Sequence, residues 1–204
     1  MNVVLADYGA GNLRSIVSAL RRAGADPLVS VDPAVVREAP LAVIAGVGHV
    51  ESAARGLSAN GLDEALCGRA AAGRPLFGIC VGLQLLFGES DEGGCGLGLL
   101  EGSVRRIVAP HVPHMGWNTL EVARPGGLLD GLDGADVYFA HSYAAVPEGT
   151  QPDVVTATTE HGGPIVAAVE LGAIAGVQFH PERSGDAGGK LLANLLAWAT
   201  VGAR

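Results

Sequence analysis

Lysine is almost missing from this 204-residue chain, with Lys190 its only example. Thirteen cations face twenty-one acids, a net charge of −8. No Lys/Arg cluster interrupts that excess, which argues against a nucleic-acid binder. No uninterrupted apolar stretch approaches the ~20 residues needed to span a bilayer, so no membrane role is expected. The opening Met1-Asn2-Val3-Val4-Leu5-Ala6-Asp7 has no basic region and reaches an acid early, unlike a secretory signal. Only three cysteines occur, Cys67, Cys80 and Cys95, an odd number that does not suggest a disulfide framework. A reducing, cytoplasmic setting is expected, where a thiol stays free for chemistry. No P-loop is present, and Gly9-Ala10-Gly11 lacks the remaining spacing of a dinucleotide fingerprint. His111 and His114 sit three apart with no third ligand nearby in sequence, so no metal site is expected.

What the chain does have is apolar residues, 49% of the total, enough for one α/β domain over residues 1–204. In the first half, short β-branched runs alternate with amphipathic stretches. Strands are predicted at 2–6, 41–45 and 75–79, and helices at 13–22, from 49 onward, at 62–72 and at 81–87. This order implies a three-layer α/β fold, a mostly parallel sheet with helices on both faces. The second half differs. Strand-like runs at 104–107, 119–122, 137–140, 154–159, 165–170 and 173–178 are joined by short turns, with antiparallel pairing expected around Gly162-Gly163. A helix over 190–200 closes the chain.

The sharpest local signal is Gly78-Ile79-Cys80-Val81-Gly82 at a strand-to-helix junction. It has the form of a nucleophile elbow with cysteine in the serine position. So tight a turn leaves little beyond glycine at its flanks and presents its central residue in a strained conformation. The sulfur would lie at a helix N-terminus, where peptide dipoles favour a thiolate. The Val81 N–H would face an oxyanion forming on an attacked carbonyl. One hundred residues on comes Gln178-Phe179-His180-Pro181-Glu182. Pro181 ends a strand by removing a ladder donor, and Glu182 can reach the second imidazole nitrogen to fix tautomer and orientation. Each motif alone has a bland reading, a buried cysteine or a strand-end histidine. Together they make a Cys80…His180…Glu182 triad whose acid follows the histidine, unlike the order of the α/β-hydrolases.

These two motifs, with Leu83 and Gln84 after the elbow, resemble the class I (triad) glutamine amidotransferases. Four further segments narrow the resemblance to the glutaminase subunits of imidazole glycerol phosphate synthases, which serve histidine biosynthesis. They are Asp7-Tyr8-Gly9-Ala10-Gly11-Asn12-Leu13, Gly46-Val47-Gly48-His49, Pro113-His114-Met115-Gly116-Trp117-Asn118 and Tyr138-Phe139-Ala140-His141-Ser142-Tyr143. The resemblance runs from Met1 to about Leu195. It implies that Cys80 forms a γ-glutamyl thioester, that His180 moves the protons, and that no cofactor is needed. Gln84 and Glu92 would hold the α-amino and carboxylate groups of glutamine, with backbone near Ser142 and Tyr143 assisting. Asp91 and Glu89 lie close enough to Glu92 to confuse its register.

Gly46-Val47-Gly48 resembles the family's oxyanion segment, in which a peptide flip turns an N–H toward the developing charge, so Val47 and Gly48 join Val81 as oxyanion candidates. The family's proline before this segment is replaced here by Ala45, for which a looser backbone is expected. The resemblance also implies a heterodimer with a TIM-barrel cyclase that receives ammonia through its lumen. Asn12 and Arg183 match positions facing that partner. Met115, Trp117 and Tyr138 read either as linings of the docking face or as core packing. Two alternatives stand: a glutaminase subunit serving vitamin B6 or anthranilate synthesis, and a non-catalytic regulatory subunit on the same fold.

Overall fold

The protein is described by a computed structural model covering residues 1–9 and 13–201, so Asn12 falls outside the described residues. The elements run β1 (Asn2–Ala6), α1 (Leu13–Arg22), β2 (Asp26–Ser30), α2 (Pro33–Glu38), β3 (Leu41–Gly46), α3 (Val50–Ala59), α4 (Leu62–Ala71), β4 (Leu76–Cys80) and α5 (Val81–Gln84). There follow β5 (Phe87–Ser90), β6 (Leu100–Arg106), β7 (His114–Thr119), β8 (Glu121–Val122), β9 (Asp136–His141), β10 (Tyr143–Ala145), β11 (Val155–Glu160), β12 (Pro164–Leu171), β13 (Ile174–Val177) and α6 (Gly185–Val201).

Among the described residues the main sheet has eight strands in the order β2-β1-β3-β4-β13-β12-β11-β8. Pairing is parallel from β2 through β13 and antiparallel beyond it. Strands β3 and β4 are buried along their whole length. Their unbroken apolar runs follow from being covered on both faces. Helix α1 packs with α6, and α4 packs with α2 and α3, giving one helical layer on each face. The expected hairpin at Gly162-Gly163 joins β11 to β12. Two small sheets, β10-β6-β5 and β7-β9, stand beside the main one.

Several expected boundaries move. The helix expected over 81–87 is a single turn, because Phe87 already begins β5, which pairs in parallel with β6. The strand expected at 119–122 is two pieces, β7 ending at Thr119 and the short β8. Helix α6 begins at Gly185 rather than residue 190. Gly188 in its first turn is a packing requirement, since a Cβ there would lie 1.9 Å from the Pro181 carbonyl oxygen. Strand β2 and helix α2 went unpredicted. Asp32 does cap α2, accepting from the Ala34 N–H at 2.8 Å with Pro33 in the first turn, a signature visible in sequence.

Candidate active site

Strands β3 and β4 end side by side, with Gly46 opposite Cys80. The Gly46-Val47-Gly48 loop therefore leaves the sheet next to the sulfur, at the C-terminal edge where open α/β sheets place their sites. Cys80 has φ 56° and ψ −108°, and among the described residues it is the only non-glycine with positive φ. The flanking glycines are dictated by contact. A Cβ on Gly82 would lie 1.9 Å from the Ile44 carbonyl oxygen, and one on Gly78 would lie 2.5 Å from that of Gly82. With α5 reduced to one turn, the helix whose N-terminus faces the sulfur is shorter than expected.

The principal neighbour is His180, one strand over. β13 pairs with β4, and the chain continues through Gln178 and Phe179 before a 3-10 turn, Pro181–Arg183, ends the run. His180 Nδ1 lies 2.9 Å from Glu182 Oε1, and both side chains are buried. Its Nε2 is buried with no hydrogen-bond partner among the described residues, yet it is close enough to Cys80 to feel the charge there. Burial opposes charging the ring. Cys80 and Glu182 on either side outweigh it and raise the pKa to about 10. A ring in this state carries a proton it can give to a leaving group.

A slot of about 50 Å³ opens on Cys80, lined by Val47, Gly48, Val81, Gln84 and Glu92, with Ala140–Tyr143 closing the far wall. Gln84 Nε2 donates to the Tyr143 carbonyl at 2.7 Å and to Gln178 Oε1 at 3.1 Å, while Gln178 Nε2 donates to Cys80 Sγ at 3.6 Å. Both Gln84 amide hydrogens are thereby engaged, which leaves its Oε1 as an acceptor. Glu92 accepts from the Val50 N–H at 2.8 Å and lies 2.9 Å from His49 Nδ1. The neighbouring acid Asp91 points elsewhere, to Arg105 at 2.6 Å. The Ser142 carbonyl accepts from the Ile107 N–H at 2.9 Å, anchoring the far wall to the end of β6.

Ala45 is not the loose point expected from its missing proline. It is fully buried in β3, paired with Ile79, and its carbonyl accepts from the Tyr8 hydroxyl at 3.2 Å. Gly46 is needed beneath that tyrosine, since a Cβ there would lie 1.7 Å from its hydroxyl. Burial, then the charges of Cys80 and Asp7, push the Tyr8 pKa up.

On the outer side, Met115 and Trp117 are exposed at 65% and 59%, which excludes core packing for both. Trp117 pairs across the ladder with Tyr138, ring edge to face at 6.1 Å, and the Arg183 guanidinium sits 3.8 Å above the Tyr138 ring. Sequence reasoning passed over Gln178, His49, Tyr8 and His141, which touch the sulfur, the Glu92 carboxylate, the oxyanion strand and the slot wall. Gln178 and His49 stand inside the quoted motifs, beside residues already given roles. Tyr8 and His141 lie in segments that carry the resemblance, but their contacts with the oxyanion strand and the slot wall are set only in the third dimension.

A family model described as "Glutamine amidotransferase class-I" matches residues 4–198. The imidazole glycerol phosphate synthase subunit HisH of Mycolicibacterium paratuberculosis is 46% identical over 200 residues, covering 95% of this chain and 96% of that one. The subunit of the same name from Methanothermobacter thermautotrophicus is 46% identical over 197 residues, covering 95% and 97%. A crystal structure of a glutamine amidotransferase superposes with a TM-score of 0.79 at 22% identity, covering 97% of this chain and 98% of that one. One of a putative GMP synthase subunit from Thermoplasma acidophilum gives 0.74 at 19%, covering 98% and 94%. This chain belongs to the class I glutamine amidotransferase family.

Proposed function

We propose that this chain is the glutaminase subunit of an imidazole glycerol phosphate synthase. One observation carries the chemistry: a strained Cys80 at the mouth of a polar slot, beside a His180 held by Glu182. The sulfur adds to the side-chain amide carbon of glutamine. The resulting oxyanion is met by backbone N–H groups of Val81 and of the Val47–Gly48 segment, an arrangement worth roughly 10²–10³ in rate per donor. As the tetrahedral intermediate collapses, His180 protonates the departing ammonia and a γ-glutamyl thioester remains. His180 then takes a proton from water, which attacks the thioester and frees glutamate. Gln84 offers an acceptor to the α-ammonium group, with Glu92 nearby and the Ser142–Tyr143 backbone along the wall.

Ammonia passes to a partner synthase subunit, a TIM-barrel cyclase, within a heterodimer. The face carrying Met115, Trp117, Tyr138 and Arg183 suits docking, because exposed aromatics and an arginine held over one of them are typical interface anchors. Asn12 would join it. The chain acts as one catalytic domain in the cytoplasm; among the described residues no helix is long and apolar enough to cross a membrane. The names of the similar proteins favour this partner over vitamin B6 or anthranilate synthases. The Cys80, His180 and Glu182 arrangement favours turnover over a regulatory role.

Glycines on both sides of Val47 let that segment turn its N–H away from Cys80, so glutamine hydrolysis should be slow in the isolated chain and rise when the liganded cyclase binds. The test is Cys80→Ala in the reconstituted complex. Glutamine-dependent product formation should vanish while ammonia-dependent formation persists; loss of both, or of neither, contradicts the reading.

A further inference from the structure

Behind the slot wall runs a set of hydrogen bonds whose direction is fully determined. His141 Nδ1 lies 2.9 Å from the Tyr143 carbonyl oxygen, which can only accept, so this nitrogen carries the hydrogen. His141 Nε2 lies 3.1 Å from His114 Nδ1. His114 Nε2 lies 3.1 Å from Asn118 Nδ2, whose other hydrogen goes to the Glu160 carbonyl at 2.9 Å. The Asn118 orientation is secured because its Oδ1 accepts from the Thr119 N–H at 2.9 Å. An amide nitrogen can only donate, so His114 Nε2 accepts, His114 Nδ1 donates, and His141 Nε2 accepts.

Both rings are neutral. Burial first, against a rise from the Tyr143 hydrogen bond and with further lowering by His114, His180 and His161, leaves His141 at about 3. Burial, then His161, leaves His114 at about 4. Phe139 and His161 sandwich the His114 ring at 4.5 and 4.1 Å, and no carboxylate is paired with it among the described residues. The Tyr143 carbonyl is where two chains of donors meet, from His141 on one side and from Gln84, itself bonded to Gln178 and through it to Cys80, on the other. The inner residues of β7, His114 and Asn118, alternate with the exposed Met115 and Trp117 on the same strand.

We propose that His141, His114 and Asn118 are positioning residues that hold the Tyr143 carbonyl in place through rings fixed as Nδ1–H tautomers, linking the partner-facing strand to the glutamine slot. The link to glutamine rests on the function proposed above, but the tautomers do not. Histidine ¹⁵N shifts of the full-length chain at neutral pH should show a protonated Nδ1 and a bare Nε2 for both rings. An Nε2–H tautomer or an imidazolium at either position overturns the proposal, whatever the enzyme does.

Asn118→Asp removes both donor hydrogens, so His114 should take a proton on Nε2 and register as imidazolium. His114→Leu removes the donor toward His141, and at saturating cyclase its KM for glutamine should rise roughly fivefold, the effect of about one lost hydrogen bond, with ammonia-dependent turnover unchanged. His114→Gln, which keeps a donor toward His141, should hold KM near the native value, as should Asn118→Asp, whose His114 still donates from Nδ1. An unchanged KM in His114→Leu, or equal loss of both activities, sinks the positioning role. Absence of glutamine turnover in the native complex would instead refute the glutaminase reading and leave the tautomer result standing.

Discussion

The backbone N–H of His180 donates to the carbonyl of Tyr138 at 2.8 Å, tying the proposed proton carrier to a strand that faces outward. The tie is doubled by Ser184, whose hydroxyl accepts from the Tyr138 N–H at 3.0 Å and donates to the His180 carbonyl at 2.7 Å. Tyr138 in turn lies under Arg183 and against Trp117 on the exposed side. That surface is thus joined to His180 through backbone hydrogen bonds.

Ser184→Ala leaves a buried N–H and a buried carbonyl without their hydroxyl, a loss of about 1–3 kcal/mol. Calorimetry should show the melting temperature lowered. The rate of glutamine hydrolysis in the complex should fall more than KM changes, because the ring is displaced and not the slot. A variant with native kcat would show that His180 is held without the serine.

Cys80 stores backbone strain that only glycine would relieve. Cys80→Gly should be more stable than Cys80→Ala by roughly 1 kcal/mol, net of the extra chain entropy of glycine. Both would be inactive with glutamine. Equal urea midpoints would mean that the turn is unstrained.

Stability should fall on both sides of a maximum near neutral pH. For His180 the folded pKa, about 10, lies above the unfolded value of 6.5, so its contribution is full below pH 6.5 and is lost as pH rises toward 10. The decline is up to about 1.4 kcal/mol per pH unit. His141 and His114 act in the opposite sense. Their folded values, about 3 and about 4, lie below 6.5, so the unfolded chain takes up protons first and stability drops as pH falls below 6.5. Urea titrations across this range check both limbs, and Glu182→Gln should flatten the alkaline one. An alkaline limb unaffected by that substitution would assign it to another group.

Arg69 is fully buried with its guanidinium bonded to the carbonyls of Val36, Arg37, Ala39 and Pro75. Burial, then the charge of Arg74, lowers its pKa to about 10 against an opposing pull from Glu38. Arg69→Met orphans these carbonyls and should destabilise by about 3 kcal/mol or more. Arg69→Lys, lacking the planar fork, should recover only part. A melting temperature unmoved by either change would mean that water can replace the side chain.

Residues that act through their neighbours along the chain are legible in the order of amino acids. The elbow can be read because Gly78, Cys80 and Gly82 lie within five residues, and the His180–Glu182 pair because they are two apart. Gln178–Cys80 and His49–Glu92 cannot, since those contacts join residues 98 and 43 positions apart, the second being 92 minus 49. Strand β2 is obscured by Pro27, which an edge strand tolerates and a central one does not.

Fold class, the sharp turn and the candidate nucleophile were legible in the order of residues, because apolar periodicity and glycine placement are local properties of the chain. How that chemistry is surrounded was settled by packing. Packing set the size of the slot, brought Gln178 to the sulfur, placed Glu92 against the start of α3 and neutralised His114 and His141. These follow from which distant groups are desolvated together, and desolvation is a property of the folded molecule.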